Sequence, residues 1–241
     1  MKNGVLVVAA MPWEAGTVAA GRPLRSVAVS VEPRLRLRGR ADDSLWVLQS
    51  GIGPALAASA TTRAIAHLKP AVVVSTGCAG ALCDGVVPGE VVIAEEVLDG
   101  GRGTWRSSPT WVERYEGAAR ESGVRARRGR ILTSGALLST GTEKRSAGRA
   151  SRCDAVDMET AVIADAVAQA GAEFVVVRAI LDVVDATLPE GLVDEWGRVR
   201  LFRVLRGLFT DRAFAARLRD VRQATRLCQT SLREIHRRAL S

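Results

Sequence analysis

The feature that most constrains this chain is a succession of short β-branched runs without strict polar alternation. They read VLVVAA at 5–10, LWVLQSGIG at 45–53, AVVVSTGCAG at 71–80, EVVIAEEV at 90–97, GRILTSGALL at 129–138 and EFVVVRAILDVVD at 173–185. A strand with one wet face alternates, whereas a strand covered on both faces does not. Between the runs, PALAASATTRAIAHLKP at 54–70 and DMETAVIADAVAQAG at 157–171 are Ala-rich and helical by period, the second ending at Gly171 as a helix C-terminus does. The pattern predicts an α/β domain with helices packed on a mixed or parallel sheet. Gly-rich turns are expected after three of the strands, SGIG at 50–53, STGCAG at 75–80 and TSG at 133–135. Each alone is an ordinary tight turn; together they mark strand ends where a ligand can approach the backbone.

Composition removes several alternatives. With 241 residues and 47% hydrophobic content the chain can bury one large core. The apolar run at the N-terminus is too short to span a bilayer. Four scattered cysteines, Cys78, Cys83, Cys153 and Cys228, suit a reducing cytoplasm. Only two histidines, His67 and His236, are present, with no zinc-ligand spacing, so a metal site and a histidine-based triad are not expected. No dinucleotide or P-loop signature is present. Acid and base chemistry must then come from carboxylates.

Four places put such chemistry beside a strand end: Glu14 in AAMPWEA, Cys78 in STGCAGAL, Glu159 in VDMET, and Arg178 with Asp182 in FVVVRAILDVVD. Read singly, each has an ordinary structural use: Glu14 and Glu159 as first-turn helix carboxylates, Arg178 and Asp182 as a pair. Read in order with SGIGPALAASATTRAI, these stretches resemble the nucleoside phosphorylase and nucleosidase superfamily, and its methylthioadenosine/S-adenosylhomocysteine nucleosidase branch in particular.

The resemblance implies a three-layer α/β/α fold around a mixed sheet, a homodimer, and cleavage of the N-glycosidic bond of a purine ribonucleoside. By that resemblance Asp182 donates a proton toward N7 of the leaving purine and Glu14 activates water. Glu159, with Met158 beside it, holds the ribose hydroxyls, and Arg178, Cys78, Gly80 and Gly53 lie around the nucleophile. Leu137, Leu138 and Leu181 are expected at the base. No cofactor is implied, although phosphate is a conceivable co-substrate, with Arg22 or Arg25 as its only early candidates.

The chemistry suits these residue types: an oxocarbenium-like state needs an acid for the leaving base and carboxylates for the sugar. A non-catalytic, nucleoside- or membrane-binding relative would lack one of Glu14, Glu159 and Asp182, and all three are present. Three departures stand out. The family usually has Ser where Cys78 and Leu181 stand, and SGALLS replaces its SGDAFI loop, with Ala136 for the acid.

The last 46 residues, expected as a helical extension after a catalytic region spanning 1–195, hold twelve Arg against Asp211, Asp220 and Glu234. Phe214, Leu218, Val221, Thr225, Cys228, Leu232 and Ile235 form one helix face there, with Arg212, Arg219, Arg222, Arg226, Arg233 and Arg237 mostly off it. VRLFRVLRGLF before it repeats the arrangement over a shorter stretch. With DATLPEGLVDEWGRVRLFRVLRGLF, the region resembles the hopanoid-associated branch, whose members are thought to remove adenine from adenosylhopane. Such a helix suits an anionic membrane surface, and equally suits packing on a sheet with its arginines in water. Nucleic acid is not an expected partner, because no recognition motif accompanies the charge. Methylthioadenosine/S-adenosylhomocysteine nucleosidase and futalosine hydrolase are the alternative activities.

Overall fold

The computed structural model describes residues 4–27, 36–101, 103–186 and 214–241. The expected segment VRLFRVLRGLF, Arg212 and the 195/196 boundary lie outside the described residues. Ten strands and six helices are present among the rest. In chain order these are β1 (Val5–Ala9), α1 (Pro12–Ala19), β2 (Arg25–Ser26), β3 (Arg36–Gly39), β4 (Leu45–Gln49), α2 (Pro54–Leu68), β5 (Val72–Ala81), β6 (Val91–Leu98), β7 (Thr104–Arg106), α3 (Pro109–Ser122), β8 (Ala126–Thr133), α4 (Gly141–Ser151), β9 (Ala155–Asp157), α5 (Thr160–Ala170), β10 (Glu173–Asp182) and α6 (Phe214–Ala239).

One mixed sheet joins all ten strands, as expected of an α/β chain with a mixed central sheet. Its path runs β10-β6-β8-β9-β5-β1-β4-β3-β2, with β7 beside β6. Because β10 also pairs with β5, the strands β5, β10, β6, β8 and β9 close a ring, and half of the sheet is a small barrel. A bulge between Ile180 and Asp182 lets the long strand β10 turn as it closes.

The runs lack alternation because both sheet faces are covered. Leu6 and Val8 enter a cluster that includes Ala57 of α2 and Ile163 of α5. Val7 and Ala9 enter another with Tyr115 of α3 and Cys228, Leu232 and Ile235 of α6. The apolar stripe of α6 is therefore core from Cys228 onward, and Leu218, Val221 and Thr225 are only half-buried. Arg219, Arg222, Arg226, Arg233 and Arg237 are exposed, as the helical period requires.

Two expectations change. STGCAG is not a turn: β5 runs straight through it to Ala81, because β10 pairs with it as far as Gly80 and β9 pairs with Gly80 and Ala81. The start of DMETAVIADAVAQAG is not helical either. Asp157 ends strand β9, which pairs with β5 and β8, and the helix begins at Thr160. Gly171 ends that helix in the left-handed conformation, as expected.

Candidate active site

Parallel register brings the chemistry to one edge of the sheet. Ala9 of β1 pairs with Thr76 of β5 and with Gln49 of β4, so α1 and the SGIG turn start side by side. On the other flank of β5, Arg178 pairs with Gly77 and Asp182 with Gly80. The carboxyl ends of β1, β4, β5 and β10 thus converge, the usual place for a ligand in such sheets.

Glu14 lies in the first turn of α1, buried, and does more than neutralise a helix end. One oxygen accepts from its own helix start, Met11 N, at 2.9 Å, and the other accepts from Cys78 N, also at 2.9 Å. Gly77 makes the approach possible: a Cβ there would lie 2.7 Å from Glu14 Oε1 and 2.9 Å from Arg178 Nη1. Burial pushes the Glu14 carboxyl above its ordinary range, opposed by the Arg178 guanidinium and the two backbone N–H groups. Cys78 is a neutral thiol, raised well above its usual value first by burial and then by Glu14.

Arg178 and Asp182 do not pair with each other. Arg178 Nε donates to Asp157 Oδ2 at 2.9 Å, and Nη2 donates to Ser75 Oγ at 2.9 Å and Thr160 Oγ1 at 2.6 Å. Asp157 also accepts from Thr133 Oγ1 at 2.9 Å, and Thr160 Oγ1 donates to it. Burial works against the Arg178 charge, and Asp157, Glu14 and Glu159 outweigh it. This hub was not legible in the sequence beforehand, although Asp157 stands inside the VDMET stretch.

Glu159 sits at the N-terminus of α5 and reaches across to the SGIG turn, where Gly53 N donates to its Oε1 at 2.8 Å. Burial, then the Asp157 charge, raises its carboxyl to about 7, against the pull of Gly53 N–H and Arg178.

Asp182 is held by Lys144, a residue that no sequence signal singles out. Lys144 Nζ of α4 donates to Asp182 Oδ2, and also to Ala186 O at 2.8 Å and Val183 O at 3.3 Å. Burial raises the Asp182 carboxyl above its ordinary range, with Lys144 opposing. A small cavity opens at Asp182, lined also by Asp157 and Met158 and by apolar neighbours that include Leu137, Leu138 and Val156 beside Gly80 and Ala136. Leu137 is 45% exposed there. Leu181, expected at the base, does not line this cavity. Neighbouring strand residues face opposite ways, and Leu181 packs against the cluster that contains α6. Asp185 pairs at the surface with Arg145, its Oδ1 accepting from Nε at 2.9 Å.

These elements, a carboxylate-lined site at one edge of a mixed and partly closed sheet, define the nucleoside phosphorylase type of enzyme. Residues 5–200 match the Phosphorylase superfamily, and the chain belongs to that family. It is 34% identical over 160 residues to the 5′-methylthioadenosine/S-adenosylhomocysteine nucleosidase of Actinobacillus succinogenes, covering 59% of this chain and 69% of that one. The nucleosidase of Neisseria meningitidis in complex with methylthio-immucillin-A has the same fold, with a TM-score of 0.74 at 22% identity over 97% of this chain and 98% of that one. Native futalosine hydrolase of Helicobacter pylori also has it, with a TM-score of 0.74 at 14% identity over 97% of each chain. The shared fold therefore takes in most of α6.

Proposed function

We propose that the chain hydrolyses the N-glycosidic bond of a purine ribonucleoside, with Asp182 as the acid, Glu14 as the base for water and Glu159 as the ribose ligand. The observation that carries this reading is the gathering of three buried carboxylates, each raised by burial, at one end of the sheet: Glu14 and Glu159 around Arg178, and Asp182 on the same strand as Arg178 and opening on a small cavity. Asp182 gives its proton to the purine as the bond's electron pair passes to the base. Water, losing its proton to Glu14, closes on the sugar carbon. Glu159 offers one oxygen to the ribose while Gly53 N fixes the other.

Water suits the acceptor role better than phosphate. The Arg178 guanidinium is taken up by Asp157, Ser75 and Thr160. Arg22 turns away, donating to Val18 O at 2.6 Å and His236 O at 2.9 Å, and Arg25 lies exposed on β2. An anion would meet Glu14 with little free positive charge to offset the repulsion.

The preferred substrate in this reading carries a bulky apolar 5′-substituent, as adenosylhopane does, and it is supported by Leu137 and Leu138 at the cavity. Contact with an anionic membrane belongs to the same reading, supported by the exposed Arg219, Arg222, Arg226 and Arg233 of α6. The buried stripe from Cys228 onward leaves that contact electrostatic, without insertion of this face. Dimerisation and a cytoplasmic setting are part of the proposal as well. The second reading, methylthioadenosine/S-adenosylhomocysteine nucleosidase activity, is favoured by the 34% identity to an enzyme of that name.

The test is base release from adenosylhopane, 5′-methylthioadenosine and futalosine, each with and without phosphate. Release from adenosylhopane without phosphate, lost in Asp182→Asn, is the expected result. Preference for methylthioadenosine would select the second reading, and a strict phosphate requirement would overturn hydrolysis.

A further inference from the structure

Helix α4 is polar along its length, and Lys144 is the one residue in it that is buried. Its side chain is 1% exposed. Lysine is among the side chains least often buried, because removing an ammonium from water costs several kcal/mol. The chain has built a close approach to put it there. Gly148 lets α4 lie against Leu82 O, where a Cβ would collide, and at Gly141, the helix start, a Cβ would stand only 3.2 Å from Asp185 Cα and Val184 O. Thr140 and Glu143 fix that start with a reciprocal cap, Thr140 N donating to Glu143 Oε2 at 2.9 Å.

All three donors of the ammonium go to one short segment, Asp182 Oδ2, Val183 O and Ala186 O. None is left for solvent or substrate. Among the described residues, the second oxygen of Asp182 accepts no hydrogen bond, and both oxygens stand 3.3 Å from where a Gly80 Cβ would be.

We propose that Lys144 is the positioning residue of the site's acid: it pins Asp182 by one oxygen, leaves the other free for the base, and sets the pH at which the proton-donating form is lost. This inference rests on the reading of Asp182 as the acid. When the proton leaves Asp182 for the base, a carboxylate remains in a buried place, and the ammonium beside it stabilises that product. The same ammonium draws the acid down from the range that burial alone would impose, which keeps its proton transferable.

The other charged or titratable neighbours are already committed or neutral. Asp157, across the cavity on β9, is bound to Arg178. Asp185, three residues on, is bound to Arg145. Cys228 of α6 is a neutral thiol, raised to about 12 by burial.

The experiment is the pH dependence of kcat for 5′-methylthioadenosine, and for adenosylhopane in mixed micelles, with wild type, Lys144→Met, Lys144→Arg and Asp182→Asn. An acid works while protonated, so activity falls as pH rises through its pKa. Removing Lys144 should move that falling limb upward by about one to three pH units, the usual effect of an opposite charge at contact distance. The plateau rate should drop as well, and Lys144→Arg should restore much of both.

A merely structural lysine would lower rate or stability and leave the limb in place. If Asp182→Asn keeps wild-type activity, or if wild type releases no base from either nucleoside, the reading of the acid fails. If Asp182→Asn is inert and the limb of Lys144→Met coincides with that of wild type, the reading survives and the role of Lys144 is overturned. Should Lys144→Met not fold, wild type decides the matter by NMR. The carboxyl carbon of Asp182 and Nζ of Lys144 should shift at the same pH, and a carboxyl that titrates with an unmoved Lys144 signal refutes the proposal.

Discussion

The site contains two buried ion pairs that look alike on a charge map and differ in what they leave over. Arg178 and Asp157 are closed: the guanidinium fork and carboxylate are joined by Ser75, Thr133 and Thr160. Lys144 and Asp182 are open, with every donor of the lysine used and one oxygen of the aspartate left at the cavity. An arginine with planar, fixed donors suits a hub that must hold several elements in register, whereas a lysine suits point contact with a group that changes charge. The closed pair is thus expected to govern stability, and the open pair rate.

The sharpest way to break that comparison is to neutralise one member of each pair. Asp182→Asn should lower kcat by about two to four orders of magnitude, the usual contribution of a general acid, with a smaller stability loss than the closed pair shows, because the Val183 and Ala186 carbonyls still hold the Lys144 ammonium. A base-release assay and a melt on the same preparation decide it. A large stability loss with kcat intact would reverse the roles.

Arg178→Met should show the opposite balance. Removing one partner of a buried pair leaves Asp157 uncompensated and costs about 3–5 kcal/mol. Denaturant unfolding reads that loss, and a variant as stable as wild type would show the hub to be dispensable.

The pair that was legible in the sequence was only partly the pair that exists. FVVVRAILDVVD announces costly charges in a strand, and the strand, its burial and both charges are present. Their partners come from β9 and α4, brought in by register and by glycine contacts that no local period encodes. Lys144 reads as one more solvated lysine in TEKRSAGRAS, because only the tertiary approach of α4 removes its water. The strands from paired β-branched runs were readable, but the closure of the ring was not, since it depends on a second pairing edge of β5. Leu181 shows the same limit: adjacency to Asp182 in sequence puts it on the other face of the strand.

Asp182 and Glu159 also differ in pH demand, which sharpens the contrast further. In the proposed role of ribose ligand Glu159 would act ionised, and burial raises its carboxyl to about 7. KM should therefore fall as pH rises from 6 to 8, while kcat falls as Asp182 loses its proton. Glu159→Gln should flatten the KM trend and leave the kcat limb. The sign for stability follows separately: a carboxyl raised on folding binds its proton more tightly in the native state, so this group's contribution declines as pH rises through about 4.5 to 7.

His236 behaves in the reverse direction, away from the site. It is fully buried, with Nε2 at 2.8 Å from Thr76 Oγ1 and Nδ1 at 3.0 Å from the Tyr115 hydroxyl, and burial lowers it to about 3. A folded state that resists protonation is stable above the unfolded value near 6.5 and loses that contribution as pH falls toward 3. The melting midpoint should drop more steeply below pH 6 in wild type than in His236→Gln, which is less stable at neutral pH. Equal slopes would mean that the α6 contact contributes nothing to acid sensitivity.

The smallest effect is expected three residues beyond Asp182. Asp185 pairs with Arg145, the residue next to Lys144, so the two pairs join the same helix to the same segment. They differ in water: the Asp185 side chain is 67% exposed and that of Asp182 is 6% exposed. Arg145 holds the Asp185 carboxyl below its usual range through hydrogen bonds, but solvent and salt screen a pair at the surface. Asp185→Ala should leave kcat and the melting midpoint within experimental scatter at physiological ionic strength. A marked loss of rate in that variant would show that the surface pair, and not the buried lysine, places the acid.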